Sequence, residues 1–401
     1  MKHKILALAL FASTATLVAF YPAQKSVGAI TQPRVIVNSV PAMSHERPKI
    51  EVVFVIDTTG SMSGLIEAAK EKIWSIANTM ASSNDAPEIK IGLVAFRDRG
   101  DAYVTQMTDL SSDLDSMYAT LLDFQANGGG DGPESVNKAL YDAVNRISWS
   151  QDSGTYKTIF LIGDAPPHMD YQDEVQYPAT LQVAQQKGII INTIQCGDNE
   201  WTMNPWQKIA SLGAGDYFQL DQAGSAIAIN TPFDQSIAEL SSRLDSTRLY
   251  YGNKQVKADK RHKERATEKL NREATAASLA RRASFNLSKS GEANLMGENE
   301  LIEDIASGRV ELKDIVIADL PTTIQSMAPM ERVALIEERA EERQALKKQI
   351  IALTEKRKAY LKDEVEKLGS SKESLDHKIY SAVRKQAREK GVRYESDDIA
   401  Y

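Results

Sequence analysis

A carboxylate and two hydroxyls that could bind a cation lie within five residues, at 57–61, directly after an apolar run. Residues 52–56 are apolar without alternation, which predicts a strand covered on both faces of a parallel sheet. Asp57 comes directly after this run, and Thr59 and Ser61 follow before a helical pattern begins. Carboxylate and hydroxyl oxygens are ligands that hard cations such as Mg²⁺ accept. The segment is therefore a candidate half of a divalent-cation site, with a simple helix cap as the alternative.

Two later segments place further acids at comparable points of the chain. Residues 127–134 form a glycine-rich loop that carries Asp131 and Glu134 before the next helical pattern. Residues 158–163 are another strand-like run, and Asp164 follows it before prolines that bar a helix. Because parallel strands present their carboxyl ends at one edge of a sheet, these acids are expected to meet Asp57 there.

The elements that must position these acids alternate between strand and helix patterns. This order predicts an α/β fold, a doubly wound and mostly parallel sheet with right-handed crossovers. The strand following the polar turn at 97–101 is expected to be antiparallel. Predicted strands cover 52–56, 90–96, 102–107, 156–162, 189–194 and 216–220, and predicted helices cover 62–80, 112–124, 136–147, 178–187, 204–212 and 233–250.

On these loops, residues 48–250 resemble the von Willebrand factor type A (VWA) domain, which has a Rossmann-like fold. The metal-ion-dependent adhesion site (MIDAS) of that family has Asp-x-Ser-x-Ser in its first loop, a Thr in its second and an Asp in its third. The resemblance implies Mg²⁺, with Mn²⁺ or Ca²⁺ as alternatives, and a protein partner that offers an acidic residue. The implied metal ligands are Asp57, Thr59, Ser61, Asp131 and Asp164.

The motif departs from the family pattern in its second loop. Asp131 stands where the family has a Thr, and Glu134 competes with it for the assignment. Thr59 replaces the first Ser but keeps its hydroxyl. A third carboxylate on the cation would weaken its attraction for an acidic residue of a partner.

The N-terminus carries an export pattern. Basic residues at 2–4 precede an apolar stretch at 5–20 and small residues that end at Ala29, with Ala23 as another cleavage point. Residues 1–29 are therefore interpreted as a signal peptide of a bacterial exported protein, followed by a linker at 30–47. A retained anchor is the alternative, although the stretch is short for a membrane span. The predicted location is periplasmic or secreted.

Residues 251–401 are predicted to be a charged helical region. They contain 30 Lys and Arg against 27 Asp and Glu, so the first 250 residues carry the net acidity, which argues against nucleic-acid binding. A helix at about 329–368 has a coiled-coil seam of Leu346, Ile350, Leu353 and Tyr360. Arg343 and Arg357 interrupt the seam, which favours a hairpin or a partner-binding helix over a long dimer. Self-association through this helix stays open.

These patterns predict an exported, non-enzymatic binding protein. One alternative is a metal-stabilised scaffold or assembly protein whose C-terminal helices bind the partner. A weaker alternative is a metal-dependent hydrolase that uses His168, although local hydrogen bonding of a loop histidine is favoured. The sole cysteine, Cys196, excludes an internal disulfide and is expected to be a buried small residue.

Overall fold

The computed structural model describes residues 47–130, 132–222, 229–368 and 375–394. Asp131, the predicted signal peptide and residues 30–46 of the predicted linker lie outside these ranges. Within the described residues, no helix combines the length and the apolar character that a membrane span requires.

Six strands form one sheet in the order β3-β2-β1-β4-β5-β6. The predicted parallel sheet with an antiparallel edge strand is confirmed, because β3 alone pairs antiparallel, with β2. Central strand β1 runs beside β2 and β4, so Asp57 and Gly163 end neighbouring strands. The strands are β1 (Lys49–Asp57), β2 (Glu88–Phe96), β3 (Thr105–Ser111), β4 (Tyr156–Gly163), β5 (Ile189–Cys196) and β6 (Ala214–Leu220).

Helices cover both faces of the sheet, which is why β1 has an unbroken apolar run. Val53 and Val55 belong to the cluster on the side of α3, α4 and α5. Val52 and Phe54 belong to the cluster on the side of α1 and α2. These helices are α1 (Ser63–Ala81), α2 (Leu114–Asp123), α3 (Val136–Asn145), α4 (Tyr177–Gln186) and α5 (Glu200–Leu212).

The C-terminal helices pack onto α1 and α2, the helices that cover one face of the sheet. Phe285 of α8 lies against Trp74 of α1, with ring centroids 5.9 Å apart, and Ile379 of α12 belongs to the same core. Residues from Arg47 onward form one compact unit, while the predicted domain boundary at 250 stays a prediction. The helices are α6 (Asp234–Ser246), α7 (Lys254–Glu273), α8 (Ala276–Asn286), α9 (Glu292–Leu295), α10 (Leu301–Ala306), α11 (Pro329–Leu368) and α12 (Leu375–Ala387).

The predicted apolar seam of the long helix α11 packs against other helices of the same chain. Leu346 and Ile350 are buried in a cluster with residues of α6 and α8. Arg343 donates to the carboxylate of Glu300 at 2.9 and 3.0 Å, and the Nε of Arg357 donates to Asp234 at 2.7 Å. The two arginines therefore bind buried acids of the chain's own fold. Self-association through α11 stays a prediction.

Candidate metal centre

The first loop of the site begins at the carboxyl end of β1. Asp57 is only 1% exposed, and its Oδ1 accepts hydrogen bonds from the backbone N–H of Thr59 at 2.8 Å and from the Thr59 hydroxyl at 2.6 Å. The hydroxyl oxygens of Thr59 and Ser61 lie 3.5 Å apart. Thr59 makes no side-chain cap of the 3-10 turn Gly60–Met62 that leads into α1. Its hydroxyl therefore serves Asp57 and does not cap the helix.

The third loop brings Asp164 to the same edge. A Cβ at Gly163 would lie 3.0 Å from the Cβ of Asp57, so the two strand ends approach as closely as a glycine allows. The Oδ2 of Asp164 accepts a hydrogen bond from the side-chain amide of Gln222 at 2.6 Å, and the same amide donates to the carbonyl of Ser61 at 3.3 Å. The structure thus brings Asp57, Thr59, Ser61 and Asp164 together.

The second loop is joined to the first by backbone hydrogen bonds. The N–H of Asn127 donates to the carbonyl of Thr58 at 3.1 Å, and the N–H of Gly60 donates to the carbonyl of Gly128 at 3.2 Å. Asp131 lies outside the described residues, so its assignment as a ligand stays a prediction. The loop ends at Glu134, a buried residue that is 4% exposed.

Residues 51–232 match the family model described as the von Willebrand factor A domain. This segment is similar to that family, and it is referred to below as the VWA domain. Over 120 residues the chain is 37% identical to von Willebrand factor A domain-containing protein 7 of Mus musculus, covering 30% of this chain and 12% of that protein. An alpha-protein kinase of Dictyostelium discoideum is 27% identical over 120 residues, 30% of this chain and 19% of the kinase. The chain thus spans less than a fifth of these relatives.

Solved structures with a similar fold include the VWA domain of SpRpn10. It is 14% identical, with a TM-score of 0.34, covering 43% of this chain and 89% of that one. Proximal thread matrix protein 1 from the mussel byssus, described with a zinc-occupied MIDAS motif, is 16% identical with a TM-score of 0.34. That match covers 44% of this chain and 42% of the mussel protein.

Two buried acids of the VWA domain carry strongly raised pKa values. Burial raises the pKa of Asp57 to about 7, with repulsion from Asp164 adding to the rise and hydrogen bonds from Thr59 opposing it. Burial also raises the pKa of Glu134 to about 9, and repulsion from Asp57 adds to it. A positive charge beside these groups would lower both pKa values, because it stabilises the ionised carboxylates.

The donor atoms of the site fit a hard divalent cation. The Oδ2 of Asp57 is buried and has no hydrogen-bond partner among the described residues, so one carboxylate oxygen is left for a ligand. The hydroxyl of Thr59 binds the other oxygen of this carboxylate, the hydroxyl of Ser61 lies 3.5 Å from that of Thr59, and Asp164 is close enough to raise the pKa of Asp57. In the described part of the chain, no group of three or more His, Cys, Asp or Glu residues is arranged to hold a metal. Of the four donor side chains described here, two are hydroxyls, those of Thr59 and Ser61.

His168 belongs to a polar network with Asp98, Asp170 and Tyr171. It is 4% exposed, its Nδ1 lies 2.8 Å from Asp170, and its Nε2 lies 3.3 Å from Asp98. Its ring stacks on Tyr171, whose hydroxyl donates to Asp98 at 2.8 Å. The histidine thus has the local hydrogen bonding that the sequence favoured.

Three residues that support the site were absent from the sequence-based prediction. Asp101 accepts from the N–H of Gly129 at 3.1 Å, Asp98 accepts from the hydroxyl of Ser135 at 2.7 Å, and Gln222 binds Asp164. Asp98 and Asp101 belong to the polar turn at 97–101. Their position as acids in a turn is the only feature of the sequence that could have indicated a role at the site. Nothing in the sequence singles out Gln222.

Proposed function

We propose that this chain is an exported, non-enzymatic protein-binding module whose VWA domain holds a divalent cation. The observation that carries this proposal is the buried Oδ2 of Asp57, which lacks a hydrogen-bond partner among the described residues. Leaving such an oxygen unpaired is costly, and a cation would compensate it. Oxygen donors of this kind suit Mg²⁺, with Mn²⁺ or Ca²⁺ as alternatives. The exported location rests on the N-terminal pattern at 1–29.

Each proposed ligand has a definable role. Asp57 supplies the buried charge, Thr59 and Ser61 supply neutral oxygens, and Asp164 supplies a second carboxylate that Gln222 orients. Asp131 is the second-loop ligand of this proposal. A bound cation supplies a Lewis-acidic position at the edge of the sheet for an acidic residue of a protein partner.

The test is the effect of Asp57→Ala on cation binding and on partner capture. We expect the substitution to abolish Mg²⁺ binding in calorimetry and to abolish capture of the partner, which EDTA should also prevent in the unaltered protein. Asp152→Ala is the matched control, because Asp152 is an exposed acid in the loop before β4, at the opposite end of that strand from Asp164. Unchanged Mg²⁺ affinity in Asp57→Ala would refute the site and its assignment.

A second candidate function is a scaffold whose C-terminal helices bind the partner. It is favoured by exposed apolar side chains on α11, where Met330 is 85% exposed and Ile351 is 51% exposed. Replacing both with Gln should then abolish partner capture while Mg²⁺ affinity stays unchanged. The hydrolase alternative has less support, because both ring nitrogens of His168 lie close to carboxylates of the chain, those of Asp98 and Asp170.

A further inference from the structure

A polar cavity lies at the amino-terminal ends of β4 and β5. Its volume is about 490 Å³, which is within the range of small-molecule sites. The loop before β4, the end of α4 and a residue that follows α12 line it. Asp164 follows the other end of β4, so the length of this strand separates the cavity from the candidate metal centre.

The charge of the cavity lining has one sign. Lys157, Lys187 and Lys390 are among the lining residues, whereas no Asp or Glu is among the described residues that line it. Ammonium groups that share a cavity without carboxylates create a positive potential there. The cavity therefore favours an anion.

Lys157 is the buried member of this group. It is 6% exposed, and its Nζ donates to the carbonyl of Ser150 at 2.8 Å. Burial lowers the pKa of Lys157, and repulsion from Lys390 adds to the effect. Attraction to Glu51 and Asp152 opposes it, but neither acid lines the cavity. Since a buried ammonium is costly without a counter-charge close to it, an anion in the cavity would stabilise it.

The other two ammonium groups are also held by main-chain carbonyls. The Nζ of Lys390 donates to the carbonyl of Ser153 at 2.9 Å. The Nζ of Lys187 donates to the carbonyl of Val144 at 2.7 Å and lies 3.5 Å from the side-chain oxygen of Asn145. Because an ammonium group has three N–H donors, each of these groups keeps at least one donor for a ligand.

Most of the remaining lining consists of neutral polar side chains. It includes the hydroxyls of Ser148, Ser150 and Ser153 and the amides of Gln151 and Gln186. Hydroxyl and amide groups both donate and accept hydrogen bonds, as the hydroxyls of a sugar do. The cavity also has room for a whole small molecule beside an anionic group.

We propose that this cavity binds the phosphate ester of a small sugar. A phosphate monoester carries about 1.5 to 2 negative charges at pH 7 and three acceptor oxygens, which suits three ammonium groups. The hydroxyl and amide side chains then bind the sugar. This site is separate from the cation site and does not depend on the proposed function.

The test is calorimetric titration of the full chain with glucose 6-phosphate in the presence of EDTA, which removes any cation that could itself bind phosphate. We expect this ester to bind, inorganic phosphate to bind more weakly and glucose not to bind. Lys187→Gln and Lys390→Gln should each lower the affinity at least about 10-fold, the scale of a hydrogen bond to a charged group. Lys348→Gln is the matched control, because Lys348 is an exposed lysine of α11 outside the cavity.

A further variant distinguishes this cavity from the metal centre. Asp57→Ala should bind glucose 6-phosphate with unchanged affinity, and loss of binding in that variant would overturn the inference. Absence of ester binding, equal affinity for glucose, or an equal loss in Lys348→Gln would also overturn it. Equal affinity for inorganic phosphate would overturn the assignment of a sugar. None of these results would affect the proposed function, which Mg²⁺ binding tests separately.

Discussion

At the scale of single residues, the geometry of the second loop depends on Gly128. Its φ is +79°, a left-handed conformation that side chains disfavour. A Cβ at this position would lie 2.2 Å from the Oδ1 of Asp101, the group that accepts the N–H of Gly129. A side chain at 128 would therefore strain the backbone and break the hydrogen bond that holds the loop.

Gly128→Ala should weaken cation binding without touching a proposed ligand. We expect a loss of about 1–3 kcal/mol in the free energy of unfolding from backbone strain, together with lower Mg²⁺ affinity. Gly130→Ala is the control, because its Cβ would meet nothing within 4 Å. Calorimetry and urea denaturation of both variants measure the effects. Equal Mg²⁺ affinities in the two variants would show that loop conformation does not control the site.

At the scale of elements, a buried arginine joins α2, α6 and α8. Arg282 of α8 is fully buried and binds the carboxylates of Asp115 and Asp245, with distances of 2.7 Å from its Nε to Asp115 and 2.8 Å from its Nη1 to Asp245. Burial alone would raise the pKa of Asp115, but the charge of Arg282 holds that pKa well below its usual range. Asp115 is therefore ionised inside the core, and its charge depends on the arginine.

Arg282→Met should destabilise the protein by about 3–5 kcal/mol, because it removes the hydrogen-bonded counter-charge of two buried carboxylates and leaves Asp245 only Arg248, at 3.6 Å. Urea denaturation followed by circular dichroism measures the loss. Arg309→Met is the control, since Arg309 also binds an aspartate, Asp304, but is largely exposed. A loss in Arg282→Met no larger than that in the control would mean that water or another cation compensates these acids.

Sequence patterns predicted the long helix, which has no Gly and no internal Pro, better than the elements at exposed positions. The long helix was expected at 329–368, and α11 covers the same residues. The antiparallel strand was expected at 102–107 but spans Thr105–Ser111, because this edge strand is half exposed and lacks an apolar pattern. Helix α5 was expected from 204 but begins at Glu200, where the side chain of Asn199 accepts from the N–H of Trp201.

Some residues of the candidate site follow a local sequence pattern, whereas others are brought to it only by contacts between distant parts of the chain. Asp57, Thr59, Ser61 and Asp164 could be predicted because each lies within a few residues of a strand end. Gln222 could not, because its contact with Asp164 joins residues 58 positions apart in the chain. Contacts of this kind depend on the final packing of β6 against β5, which no local pattern encodes.

At the scale of the whole molecule, the C-terminal helices are part of the core beside the sheet. The sequence predicted only a charged helical region here, yet Lys263, Thr267 and Leu270 of α7 are buried against the fold. The Nζ of Lys263 donates to Asp113 at 2.6 Å, and the hydroxyl of Thr267 donates to Asp115 at 3.0 Å. Polar residues thus make this contact, and composition alone could not reveal it.

Truncation after Tyr250 should therefore produce an unstable or aggregating protein. Removing the C-terminal helices exposes Trp74 and leaves the buried Lys72 without Asp376, which lies 3.1 Å from its Nζ. Size-exclusion chromatography and thermal denaturation of the truncated chain measure the outcome. A monomeric fragment with the stability of the full chain would show that the VWA domain is independent. Substitutions on the outer face of α11 are therefore the cleaner test of partner binding by the helices.

Trp201 lies against Gly132, so the fluorescence of Trp201 reports on the second loop. Trp201 is 57% exposed, whereas the other three tryptophans, Trp74, Trp149 and Trp206, are each at most 6% exposed. Acrylamide in solution should therefore quench mainly Trp201. A cation or a protein bound at the edge of the sheet would alter this quenching without any label.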